Sequence, residues 1–171
     1  MSGNIMVKCH RCNVTKTFEH LGRNICDKCF VKLIEKRVKK GLSKVFVKGE
    51  RVLVVGELAR YFMDRVNVPL EFVDSDYDKI VVSLTMDDVD SGFLSDFFGS
   101  DFKIEKDVKV VRILSSITDE EALCFAKIKG IKFSVSGEHK VIKEFLKKIS
   151  LKHPEIRFNL LKNVKEVERI L

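Results

Sequence analysis

Four of the five cysteines stand as two pairs, Cys9-x-x-Cys12 and Cys26-x-x-Cys29, with 13 residues between the pairs. No other feature restricts the folding of this chain as much. A two-residue gap lets a tight turn aim both sulfurs at one ion, and two such knuckles complete a tetrahedral thiolate site of the zinc-ribbon kind. One structural zinc ion is the expected occupant, with a redox or iron–sulfur role for the same four thiols as the alternative. With every ligand position filled by protein, no place is left for a substrate or water, so the site is architectural. A segment of about 30 residues has little core of its own, and zinc can supply ~10 kcal/mol or more of folding free energy. His10 and His20 lie near these ligands in sequence but read as surface residues, because four cysteines already saturate the ion. Cys124 stands alone in an expected helix and reads as a small buried apolar residue rather than a nucleophile.

Directly after Cys29, the residues Phe30, Val31, Ile34 and Val38 follow helical spacing, and Gly41 is a stop signal. Lys32, Lys36, Lys39 and Lys40 fall on the opposite face. Cations at one-turn intervals suit a phosphate backbone held without reading its bases; a solvated helix face is the competing reading. Arg37, Lys44, Lys48 and Arg51 extend the run while only Glu35 and Glu50 oppose it, which favours RNA contact. The whole chain is segregated in the same sense. Residues 1–51 carry 13 basic and 4 acidic side chains, residues 52–107 carry 5 and 13, and residues 108–171 carry 14 and 8. Such a field offers two basic regions that can face phosphate and one acidic region that cannot.

The 171 residues are enough to bury a core without disulfide staples. No apolar run approaches the ~20 residues of a membrane helix, and the first residues lack the apolar stretch of a secretory signal, so a cytoplasmic protein is expected. Strands are predicted at Arg51–Val55, Leu70–Val73, Lys79–Leu84, Val108–Leu114 and Ile131–Val135. Helices are predicted over Glu57–Val66, Asp87–Phe98, Thr118–Ile128, Glu138–Ile149 and from Asn159 onward. Thr118 with Glu121 forms a capping box, and Gly130 ends that helix. Strands alternating with helices imply an α/β fold: a mostly parallel sheet with helices on both faces. Ligands of such sheets bind beyond the carboxyl ends of the strands, here at Gly56 and near Asp87 and Asp88. The first of these turns, Gly56-Glu57-Leu58, has one glycine and an acid where a phosphate would sit, so ATP is not an expected ligand. Asp87 and Asp88, at a helix start, either cap that helix or hold magnesium.

Taken together, several blocks resemble one family, the tRNA 2-thiolation enzymes of archaea and eukaryotes. They are the paired knuckles, the basic stretch Glu35-Lys-Arg-Val-Lys-Lys40, and Val47-Lys-Gly-Glu-Arg-Val-Leu-Val-Val55. Further along come Asp78-Lys-Ile-Val-Val-Ser-Leu-Thr-Met-Asp-Asp88, Val111-Arg-Ile-Leu, Glu120-Glu-Ala-Leu-Cys-Phe-Ala-Lys-Ile-Lys-Gly130 and Lys152-His-Pro-Glu-Ile-Arg-Phe-Asn-Leu-Leu161. Members of the family are adenylating PP-loop proteins that sulfurate a tRNA uridine. The resemblance implies a PP-loop-type sheet, of the adenine nucleotide alpha hydrolase-like kind, behind a four-cysteine ribbon.

The departures from the family bear on activity. Gly56-Glu57-Leu58 stands where its SGGxDS pyrophosphate loop should follow Val55, and Ser83-Leu84 replaces its glycine–histidine pair. Cys124 matches no cysteine of the family that carries sulfur or an iron–sulfur cluster. The resemblance therefore implies a shortened, non-catalytic member, similar in kind to the accessory subunit of the eukaryotic two-protein complex, that binds tRNA and an active thiolase partner. An active nucleotide-binding enzyme with an atypical loop, and a zinc-ribbon protein adaptor, are the alternatives. The expected organisation is a ribbon over 1–31, a basic connecting helix over 32–50 and a degenerate PP-loop-like domain over 51–171. The expected RNA ligands are Lys32, Lys36, Arg37, Lys39, Lys40 and Lys44.

Overall fold

A computed structural model describes residues 7–42, 44–99, 109–153 and 155–170. The chain begins with a small hairpin of β1 (Phe18–His20) and β2 (Arg23–Ile25), paired antiparallel with Phe18 opposite Ile25. Its two-residue turn is Leu21-Gly22, and both residues have positive φ, 49° and 71°. That is the combination needed to match the twist of a tight hairpin. Helix α1 (Asp27–Leu42) follows at once. Phe30, Val31, Ile34 and Val38 form its buried stripe, Asp27 complements its amino end and Lys39 and Lys40 its carboxyl end. The helix runs without a break across residues 31 and 32, where the sequence suggested a domain boundary.

The body has the expected alternation: β3 (Arg51–Val55), α2 (Glu57–Met63), β4 (Glu71–Phe72), β5 (Lys79–Thr85), α3 (Met86–Phe98), β6 (Val110–Leu114), α4 (Asp119–Lys129), α5 (Lys140–Ser150) and α6 (Ile156–Ile170). The four strands form one parallel sheet in the order β4-β3-β5-β6, with Val54 beside Val81 and Val81 beside Val111. Side chains alternate across the sheet, so Val52, Val54, Val81, Val111 and Ile113 share one face. Against that face lie Leu58, Ala59 and Phe62 of α2, Ile34 and Val38 of α1, and Ala122, Phe125 and Ala126 of α4, in one continuous core that also contains Cys9, Ile25 and Cys26. The Phe62 and Phe125 rings stack at 5.2 Å, and each contributes about 1.5–3 kcal/mol by leaving water. Helices α5 and α6 pack chiefly on α3. Among the described residues, no helix is long and apolar enough to cross a membrane.

Three expectations from the sequence need correction. Residues Ile131 to Val135 are not a strand. The Ile131 amide closes the end of α4 on the Ala126 carbonyl and the Lys132 amide donates to Glu57, so the segment crosses the carboxyl edge of the sheet instead of joining it. Helix α2 stops at Met63 rather than Val66, because the Arg65 and Val66 amides reach back only three residues, to Phe62 and Met63, which tightens the chain out of the α-helix. His20 is not a surface residue; the hairpin tucks it against α4, where it is half-buried. Val108, the first residue of one expected strand, lies outside the described residues, and that strand is seen from Val110.

Candidate metal centre and sheet-edge site

The sulfurs of Cys9, Cys12, Cys26 and Cys29 all lie within 4.8 Å of one another, and those of Cys12 and Cys26 are 3.4 Å apart. Metal–sulfur bonds of ~2.3 Å in a tetrahedron put sulfurs ~3.8 Å apart, so the four thiols fit around one ion. A cubane cluster would give each thiolate its own iron and hold the sulfurs farther apart. The first knuckle turns at Asn13, whose φ of 61° is tolerated by a short amide side chain, and its amide donates to the Cys9 carbonyl at 2.9 Å. The second knuckle places Cys26 just before α1 and Cys29 in its first turn. Burial pushes the Cys9 thiol up, but hydrogen bonds from the backbone of Arg11, Cys26 and Cys12 outweigh it and bring it down to about 6. The Cys29 thiol is driven the other way, to about 12, first by its hydrogen bond with Cys12 and then by burial and the other two thiols. Thiols this close oppose one another's ionisation, and a cation among them would relieve that. Neither histidine joins the set: the His10 ring hydrogen-bonds to the Asn24 carbonyl at 2.9 Å, and His20 faces Glu121.

Beyond the ribbon, Lys32, Lys36, Lys39, Lys40 and Lys44 are exposed. Arg37 is turned the other way. Its guanidinium donates to Glu121 of α4 at 2.5 Å and to the Ser116 carbonyl at 2.6 Å, and it lies 5.8 Å from the Phe158 ring of α6. Glu121 is buried, and the Nε2 of His20 comes within 3.3 Å of the same carboxylate oxygen. Burial lowers the His20 imidazole below the usual histidine range; Glu121 opposes that shift, while Arg37 and His10 add to it. Arg37 thus joins α1 and the hairpin to the body, a role set apart from the neighbouring lysines.

The strand order reverses direction between β3 and β5, so the crevice for a ligand lies at the carboxyl ends of these two strands. Gly56 sits there with φ 95°, and a Cβ on it would come 3.1 Å from the Ser83 hydroxyl. The backbone conformation favours glycine at this position, and a side chain would also crowd the Ser83 hydroxyl. The helix that follows spans seven residues, and Glu57 in its first turn accepts the Lys132 amide at 3.2 Å. A carboxylate therefore stands where an anion would be drawn.

At the end of β5, Thr85 and Asp88 form a capping box for α3, and Thr85 also donates to Asp119 at 2.5 Å. Lys143 from α5 pairs with Asp88 and, at 3.2 Å, with Asp119. Asp87 accepts the Asp119 amide at 2.6 Å and pairs with Arg157 of α6 at 2.6 Å. Burial pushes the Asp87 carboxyl up, against the pull of the Asp119 amide and Arg157. Burial would lower the Lys143 ammonium, but Asp88 and Asp119 together hold it above the usual lysine range. Both candidate magnesium ligands, Asp87 and Asp88, are thus committed to protein partners. Lys143 and Arg157 were not recognised in the sequence. The one local signal was Lys143 lying three residues before Leu146, on the inward stripe of an amphipathic helix. Cys124 is half-buried, and its thiol is pushed up by burial and by the charge of Asp27, against Lys127.

No protein-family profile matches the chain, and no curated protein matches it in sequence. Among solved structures it is similar to the U34-tRNA thiolase NcsA from Methanococcus maripaludis, determined with its [4Fe-4S] cluster. The TM-score is 0.72 at 14% identity, over 98% of this chain and 89% of that one. The likeness establishes the fold: a PP-loop-like α/β body behind a four-cysteine ribbon.

Proposed function

We propose that this protein is a non-catalytic relative of the tRNA 2-thiolation enzymes, an accessory subunit that binds tRNA and an active thiolase partner during wobble uridine thiolation. One zinc ion held by Cys9, Cys12, Cys26 and Cys29 fixes the ribbon, and the ribbon fixes the start of the basic helix α1. The observation that carries the non-catalytic reading is the filled sheet edge. Asp88 and Asp119 share Lys143, and Asp87 pairs with Arg157. The Gly56 turn has a carboxylate in place of a phosphate cradle. A nucleotide would have to displace two ion-paired side chains and face Glu57, without the successive amides that normally cradle a phosphate.

RNA binding is supported by the exposed cations of α1, Lys32, Lys36, Lys39 and Lys40, with Lys44 just beyond it. If four of these lysines each neutralise a phosphate, log K should fall with log salt at a slope of about −3 to −4. Titration of metal-loaded protein with tRNA across a salt series, beside calorimetry with ATP and magnesium, tests both halves of the proposal. Salt-dependent tRNA binding with no heat from ATP is the expected pair of results. Micromolar ATP binding would favour the enzyme, and the absence of tRNA binding would favour a protein adaptor.

A further inference from the structure

A groove of about 400 Å³ opens between the ends of α1 and α2, lined by Phe46, Phe62, Val66, Val68 and Arg65, with Lys39 and Lys44 among its cations. It lies at the amino edge of the sheet. The Gly49 amide beside β3 donates to the Pro69 carbonyl, so the chain after α2 returns to the start of that strand, away from the Gly56 crevice. We propose that this groove takes one unstacked base of a single-stranded RNA, while the lysines at its mouth hold the adjoining phosphates. The inference rests on the RNA-binding reading above and deepens it by separating base capture from backbone attraction.

Three observations carry it. The floor is apolar, since Phe46 and Phe62 are buried and Val66 and Val68 half-buried, whereas the charged groups Lys39, Lys44 and Arg65 are exposed. That arrangement suits a ligand that is flat and apolar at one end and anionic at the other. Arg65 is already stacked on Tyr61 at 3.6 Å and tied to the Tyr61 carbonyl at 2.6 Å, so its guanidinium plane is held in place at the groove. An ordered guanidinium is a stacking surface for bases of either class. The acid of the groove, Glu35, accepts the Tyr61 hydroxyl at 2.6 Å and lies 3.6 Å from Lys129, so its charge is countered.

Lys44 is the third observation. Its φ is 72°, a left-handed conformation that glycine would adopt without strain. A lysine at such a position places a cation on the lining of the groove, just beyond the end of α1.

The test uses full-length, metal-loaded protein and two probes: a five-nucleotide oligoadenylate, and the same ribose–phosphate chain without bases. The oligoadenylate should bind about 10-fold more tightly than the baseless chain. Arg65→Ala should abolish that difference. Lys44→Gly should weaken both probes while melting no lower than the parent, because the change relieves backbone strain. Circular dichroism confirms that each variant is folded, and Val68→Ile, which narrows the groove without altering charge, serves as a second variant should Arg65→Ala unfold. Equal binding of the two probes by the parent protein, with tRNA binding and its salt slope intact, would overturn the base site and leave the accessory role standing. Failure to bind either probe or tRNA would overturn both. Adenosine monophosphate that competes fully with the oligonucleotide would overturn the assignment to RNA in favour of a free nucleotide.

Discussion

Replacing Arg37 by alanine tests the role assigned to that residue. Glu121 is only 7% exposed in its side chain, and Arg37 supplies its charge partner at 2.5 Å; the other carboxylate oxygen accepts the Thr118 amide at 3.0 Å. His20 lies 3.3 Å from the same oxygen, and its imidazole is lowered by burial and by Arg37 itself; removing Arg37 lifts one of those causes, so the ring compensates only in part for the lost cation. Removing one member of a buried ion pair costs about 3–5 kcal/mol, because the other charge is left without compensation. Arg37 is itself 21% exposed, so water enters the gap and the expected loss is smaller, about 2–4 kcal/mol. For a chain of this size, that lowers the melting temperature by about 5–15 °C. Arg37→Lys keeps the charge without the fork that spans Glu121 and the Ser116 carbonyl, and should fall between the two. One position earlier, Lys36→Ala should melt like the parent and flatten the salt dependence of tRNA binding by about one unit of slope. Thermal melts and salt-series titrations of the three variants decide the matter. If Arg37→Ala melts within ~2 °C of the parent and weakens tRNA binding as Lys36→Ala does, the buried-bolt reasoning is refuted.

Chelation of the metal, or Cys26→Ala, should unfold the hairpin and the start of α1, since Cys9, Ile25, Cys26 and Phe30 belong to the continuous core; elemental analysis should give one zinc per chain, and an iron–sulfur absorption spectrum would contradict that assignment. Lys143→Ala leaves Asp88 and Asp119 facing each other inside the fold and should cost about 3 kcal/mol in chemical denaturation, whereas Lys147→Ala, on the exposed side of the same helix, should be nearly neutral. The His20 imidazole should titrate below the ordinary ~6.5 in an NMR pH series. With its folded pKa depressed, it binds fewer protons folded than unfolded, so its contribution to stability is present above that ordinary value and is lost as pH falls toward the folded one. A midpoint above 6.5 would place the ring in an exposed or carboxylate-dominated setting instead.

Much of the fold was legible because its signals are local. The cysteine spacing announced the four-thiol cluster, the Thr118–Glu121 box fixed the start of α4, and Gly130, at φ 66°, fixed its end. Alternating strands and helices gave the parallel α/β body. The misreadings fall where local pattern and long-range pairing part company. Ile131 to Val135 has the composition of a strand, but whether it pairs depends on a sheet edge that the turn into Glu57 directs it past. Residues of α1 that look interchangeable in sequence divide into exposed lysines and one inward arginine.

The sequence by itself determined the clustering of the four cysteines, the order of the elements and the basic character of α1, because cysteine spacing, capping and helical periodicity act over a few residues. The tertiary structure alone decided which charges are available to a partner. Arg37 meets its carboxylate 84 positions later in the chain, and Asp88 meets its ammonium after 55. Such pairings depend on how helices pack around a sheet, a property that no short stretch of sequence contains.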